Sequence, residues 1–153
     1  MLQNAAIQCS SSVKNLGFIF DSQLTIADHV SSLSKSCFFQ LRQLRAVRKS
    51  LPADACQTLV QSFMHSRLDY CNSALVGITG QQLKRLQSIE NAAARLIVSA
   101  SKYDAITPTL RDLHWLPVRQ RIDFKMGVLA YKCRHSMAPP YLTAMFVPTV
   151  SQQ

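Results

Sequence analysis

Twenty residues, QQLKRLQSIENAAARLIVSA from Gln81 to Ala100, constrain the fold of this chain more than any other stretch. Leu83, Leu86, Ile89 or Glu90, Ala93 and Leu96 or Ile97 recur at three- and four-residue intervals, which puts them on one stripe of a helix. Ala92, Ala93 and Ala94 give that stripe a waist with almost no side-chain bulk, so neighbouring helices approach closely there. Thr79 is placed to cap the first free amides, and Gln82 follows at capping-box spacing. Lys84, Arg85 and Arg95 fall off the stripe, facing either water or a polyanion. The pattern predicts a central core helix with one basic edge.

A length of 153 residues with 48% hydrophobic content suits one domain with a buried core and argues against a disordered chain. Glycine is scarce, at four residues, and the composition leans helical. The net charge of +9 predicts attraction to nucleic acid or another anionic surface and is silent about fold. The five cysteines, Cys9, Cys37, Cys56, Cys71 and Cys133, are odd in number and widely spaced. This favours reduced thiols, mostly in the core, in a cytoplasmic or nuclear protein over a disulfide framework or a zinc knuckle. No signal peptide opens the chain and no run reaches the ~18 apolar residues of a membrane span, so no membrane partner is expected.

Residues 1–12 are polar and uncharged. In Val13–Phe20, Leu16, Phe18 and Phe20 alternate, which predicts a short strand; Gly17 inside it suggests a bulge or a close backbone approach. Asp21–Gln23 is a turn, and no second strong strand follows, so this strand is expected to lack its partner. From Thr25 the period becomes helical through Ile26, Val30, Leu33, Cys37, Leu41, Leu44 and Val47. The opposite surface carries Lys35, Arg42, Arg45, Arg48 and Lys49. Cations near a helix C-terminus complement its dipole at ~0.3–1 kcal/mol each, a sufficient structural account. With no acid among them, however, they repel one another unless an anion sits nearby.

Pro52 opens a helix from Ala53 to about Leu68 with Cys56, Leu59, Val60, Phe63 and Met64 inward. Gly77 and Gly80 bracket the turn before the central helix. Thr107-Pro108 reads as the N-cap and first residue of a short helix. Pro117 starts the next, with Val118, Ile122, Met126, Leu129 and Cys133 inward, and Tyr141–Phe146 form a last short one. The only tryptophan, Trp115, reads as a core anchor, and Arg67, Asp69 and Tyr70 as a local buried network. The expected fold is mainly α, a bundle of about five or six helices with one short N-terminal strand or hairpin. It divides into an entry segment (1–24), a helical region (25–147) and a tail (148–153).

Nothing in the chain spells out catalysis. The eight acids are dispersed, with no two-metal spacing. His29, His65, His114 and His135 form no metal-site spacing with the cysteines, and no phosphate-cradling glycine loop occurs. These residues point to a basic, mostly helical binding module with no metal, cofactor or active site of its own.

Several motifs resemble the region downstream of the polymerase core in LINE-type, non-LTR retrotransposon reverse transcriptases. Val13–Phe18 with Phe20-Asp21 and Asp28-His29-Val30 resembles the family's LG…D…L…H(I/V) segment. Ser66–Asn72 is similar to its SRLDYCN element, and Leu86-Gln87 through Asn91–Arg95 to its LQ…QNAAAR element, with Glu90 where Gln is more usual. His114–Val118, Arg121-Ile122, Phe124-Lys125 and Pro140–Leu142 resemble its HWLPV…RI.FK…P.YL tail. The likeness runs from about residue 13 to 147, nearest to the jockey and chicken-repeat branches.

The resemblance implies the C-terminal part of an RNA-directed DNA polymerase: a primer-grip strand, the thumb and the helices that follow. The family's metal-binding Asp-Asp motif has no counterpart here and would lie upstream of Val13, in a polymerase core that this chain would partner. Leu16, Gly17 and Phe18 then take the primer-grip position. A helical thumb holds template and primer through their backbones, by contacts that are electrostatic and independent of base sequence. Lys35, Arg42, Arg45, Arg48, Lys49, Lys84 and Arg85 are the candidate contacts. The competing expectations are a free-standing helical nucleic-acid-binding module and a helical protein-interaction module.

Overall fold

A computed structural model describes residues 10–146. Cys9, most of the polar 1–12 stretch, and the tail 148–153 lie outside the described residues.

The chain enters as a two-stranded antiparallel hairpin, β1 (Ser12–Asn15) and β2 (Phe18–Asp21). The expected lone strand is thus two strands, paired with Asn15 opposite Phe18 and Ser12 opposite Asp21. Gly17 is a turn residue and not a bulge. It sits at φ 89° and Leu16 at φ 48°, the double positive φ of a two-residue I′ turn. Asp21 Oδ1 then accepts the amides of Gln23 (3.2 Å) and Thr25 (2.9 Å), which ends the strand and lowers the Asp21 carboxyl below its usual range.

Six helices follow among the described residues. The first, α1 (Ala27–Val47), starts two residues after Thr25 because Ile26 occupies the left-handed region, at φ 62°. Val47, expected inward, is 48% exposed. A 3₁₀ turn, Arg48–Ser50, ends α1. The second helix, α2, is continuous from Ala53 to Leu68, as the pattern predicts, but Gln61–His65 within it is a π-helical turn. The wider turn breaks the 3.6-residue phase, so Met64 is fully buried while Phe63, expected inward, is 42% exposed.

A left-handed Cys71 (φ 53°) and the 3₁₀ turn Asn72–Leu75 carry the chain to α3 (Gly80–Val98). Gly80 is the first residue of this helix, so Gly77 alone, at φ 81°, makes the preceding turn. The capping box is present: Gln82 N–H donates to Thr79 Oγ1 (3.3 Å) and Thr79 N–H to Gln82 Oε1 (2.9 Å). Gln82 Nε2 also donates to the Thr25 carbonyl (2.9 Å), which ties the start of α3 to the entry of α1.

Helix α4 (Ile106–Asp112) begins one residue before Thr107. Pro108 therefore falls inside the first turn, where no intrahelical N–H is required of it. Helix α5 (Val118–Arg134) buries Val118, Ile122 and Cys133, whereas Met126 is exposed and Leu129 half-buried. The six-residue α6 (Pro140–Met145) has no buried residue and leaves the middle of α5 uncovered.

Helix α3 is central: α1, α2, α4 and α5 all pack against it. Leu86, Ile89, Ala93 and Ala94 of α3 are fully buried, with Val30 and Cys37 of α1 and Cys56, Val60 and Met64 of α2. The small side chains at Ala93 and Ala94 leave room for these bulkier neighbours. Phe18 of the hairpin joins the same core, stacked on His29 at 3.9 Å between ring centroids. Cys37, Cys56, Cys71 and Cys133 are free thiols; Cys71 is exposed, and burial pushes Cys37 up to about 11.

Candidate nucleic-acid interface

Residues 35, 38, 42, 45 and 49 follow one another at intervals of three and four, so Lys35, Phe38, Arg42, Arg45 and Lys49 line one stripe along α1 and its terminal turn. This stripe borders α3. Between the two helices lies an open groove of about 530 Å³, lined by Ser31, Ser34, Lys35, Phe38, Phe39 and Arg42 from α1 and by Arg85 and Ser88 from α3. Three cations and three hydroxyls meet there with no carboxylate among the lining residues. Arg85 Nη1 donates to Ser31 Oγ at 3.0 Å, which fixes one guanidinium across the groove and leaves its other donors free for an anion. Phe38 and Phe39 are 41% and 59% exposed along the rim, apolar faces beside a line of cations.

The sequence-predicted set divides. Lys35, Arg42 and Arg85 line the groove, and exposed Arg45 and Lys49 extend its α1 wall. Lys84 is exposed but does not line the groove. Arg48 leaves the set on geometry. Its Nε donates to the Leu96 carbonyl (3.0 Å), Nη2 to the Ile97 carbonyl (2.8 Å) and Nη1 to the Leu51 carbonyl (3.1 Å). The Leu96 and Ile97 carbonyls belong to the last turn of α3 and have no helical partner, so Arg48 is a C-terminal cap from a neighbouring helix, while its bond to Leu51 closes its own turn. Arg95 is likewise engaged, donating to the carbonyls of Ser101 (3.2 Å) and Asp104 (3.3 Å).

Of the primer-grip-like residues, Phe18 is 3% exposed and inside the core. Leu16, 85% exposed, and Gly17 remain at the hairpin tip. Tyr70 Oη donates to the Leu16 carbonyl and holds that tip against the end of α2.

The expected Arg67–Asp69–Tyr70 network is not local. Arg67 donates to Ser36 of α1, Tyr70 to the hairpin, and Asp69 receives two hydrogen bonds from Arg121 of α5. Arg121 Nη1 also reaches Glu90 Oε1 at 3.4 Å, and Gln87 Nε2 donates to Glu90 Oε2 at 2.8 Å. Gln87 Oε1 in turn accepts the Val118 amide (2.9 Å) and caps α5. Glu90 is fully buried, and its desolvation raises the carboxyl above the ordinary glutamate value, opposed by Gln87 and Arg121.

Sequence reasoning missed Ser31, Ser34 and Ser88. For Ser31 and Ser88 the signal was positional, since they lie respectively four residues from Lys35 and three from Arg85 and so share those faces; Ser34 carried no such signal. Among the described residues no three His, Cys, Asp or Glu side chains are grouped to hold a metal, and no helix is long and apolar enough to cross a membrane. No family model, curated protein or solved structure matches the chain.

Proposed function

We propose that this chain binds nucleic-acid backbone without regard to base sequence, as the thumb-like C-terminal part of a non-LTR retrotransposon reverse transcriptase, and has no polymerase activity of its own. The observation that carries the reading is the α1–α3 groove, where Lys35, Arg42 and Arg85 meet three serine hydroxyls and no carboxylate. Cations on two rigid helices suit phosphates at fixed spacing, and the Ser31 hydroxyl, which accepts from Arg85, keeps its own proton to donate without adding repulsion. An RNA–DNA duplex offers such phosphates together with an A-form shape that needs no base contact. The likeness in motif order supports the place in a larger enzyme, whose catalytic carboxylates would come from an upstream core. A cytoplasmic or nuclear setting follows from such a partner.

The test is a salt titration of binding to an RNA–DNA duplex. The quadruple variant K35Q/R42Q/R45Q/R85Q should bind more weakly and flatten the log–log salt slope by ~3–4 units. An unchanged slope would remove this face from the reading. Nucleotide incorporation on primed template by the isolated chain would remove the non-catalytic part of it.

A further inference from the structure

A second pocket, sharing no residue with the groove, lies where α2 meets the turn between α4 and α5. It measures about 510 Å³, and Gln61, His65, Asp69, Asn72, Trp115, Arg121 and Phe124 are among its walls. Three backbone irregularities build it. The π-helical turn supplies Gln61 and His65, left-handed Cys71 precedes Asn72, and left-handed His114 (φ 55°) precedes Trp115. The SRLDYCN-like and HWLPV-like motifs, far apart in sequence, converge here.

Three of its side chains carry buried polar atoms with no hydrogen-bond partner in the protein: His65 Nε2, Asn72 Oδ1 and Trp115 Nε1. Asn72 and Trp115 are each 6% exposed. A folded chain rarely leaves such atoms unpaired, and here a set of three belongs to residues that line one pocket. The set is electrically neutral. Arg121 is engaged by Asp69 and Glu90, and burial, with Arg121 nearby, holds His65 down to about 4, so its imidazole is uncharged at neutral pH. An indole N–H donates, a side-chain amide does both, and a neutral imidazole does either.

We infer that this pocket receives a single unpaired nucleobase. A flat heterocycle presents alternating donors and acceptors on its edge, as these three side chains require, and its faces suit the exposed rings of His114 and Phe124. The volume falls within the ~300–1,000 Å³ of small-molecule sites. Lys125, also on the wall, is available to the attached phosphate. The base could belong to a free nucleotide or to a strand; its chemistry is the same, and the inference does not require the α1–α3 groove.

Trp115 is the only tryptophan, so its emission reports on the pocket directly. Titration with each of the four ribonucleoside monophosphates should give a saturable emission shift with at least one, and ribose 5-phosphate should give none. Asn72→Leu, of similar size, should weaken that nucleotide by about tenfold or more while holding or raising the melting temperature, because an unpaired buried amide is removed. Phe124→Ala, at a 65% exposed site that folding does not need, should weaken it too. A short single strand shifting Trp115 where mononucleotides do so only weakly would identify a strand as the source. No shift with any nucleotide or strand would overturn the inference. So would an equal shift with ribose 5-phosphate, or wild-type affinity in both variants.

Discussion

Arg48 Nη2 donates to the carbonyl of Ile97 at 2.8 Å, so the residue that ends α1 closes the end of α3. One guanidinium satisfies carbonyls from two segments and takes a cation out of the basic stripe. Arg48→Ala should therefore cost ~1–3 kcal/mol of stability in urea unfolding, because three part-buried carbonyls lose their donor. Arg42→Ala, a few residues away and exposed, should stay within ~0.5 kcal/mol. Equal effects at the two sites would contradict the division of roles.

Glu90 offers a second test. It is fully buried, and desolvation is the main cause of its raised pKa. Only between the unfolded value and the raised one does the folded form hold a proton that the unfolded chain releases, so its contribution is full below the unfolded value and is lost as pH rises through the raised one. Glu90→Gln keeps hydrogen-bonding atoms at the end of the side chain, and Arg121 keeps Asp69. The variant should lie within ~1 kcal/mol of wild type near pH 4, and its relative stability should improve toward pH 7. Melting temperatures measured across that range check the sign.

His65 behaves oppositely. Its folded pKa is lowered to about 4, first by burial and then by Arg121, with Asp69 opposing. Between pH 6.5 and about 4 the unfolded chain binds a proton that the folded chain refuses, so stability falls as pH falls through that window. His65→Phe keeps an aromatic ring against Trp115 (ring centroids 4.2 Å apart in wild type) and cannot titrate. The wild-type protein should lose ~1–2 kcal/mol more than this variant between pH 7 and pH 4, a figure discounted for partial exposure.

The hairpin tip carries a local strain that substitution can relieve. Leu16 holds φ 48° with its side chain 85% exposed. Leu16→Asn creates the Asn-Gly pair that I′ turns favour and leaves the backbone carbonyl that Tyr70 uses. It should stabilise by ~0.5–1 kcal/mol, whereas Gly17→Ala, forced to φ 89°, should destabilise by about 1 kcal/mol. Thermal unfolding of the two variants gives opposite signs if the turn is as described.

Periodicity made the helices legible. The apolar stripes at Val30, Cys37 and Leu41 and at Leu86, Ile89 and Ala93, and the Thr79–Gln82 capping box, are local patterns, and local patterns follow from backbone geometry alone. Misreadings occurred where the backbone left its repeat. Examples are the I′ turn at Leu16-Gly17, left-handed Ile26, and the π-helical turn that exposes Phe63. Each depends on tertiary contacts that favour an intrinsically costly conformation.

For the groove, residue order supplied Lys35, Arg42, Arg45 and Lys49 as a stripe, because their spacing of three and four is itself a helical address. Tertiary structure alone decided that Arg48 turns inward as a cap, that Arg85 faces Ser31 across 54 positions of chain, and that Asp69 pairs with Arg121. Charge and period are properties of neighbouring residues, and so are written in the chain. Which donor meets which acceptor depends on how helices pack in three dimensions, and packing brings together residues whose sequence separation carries no trace of the meeting.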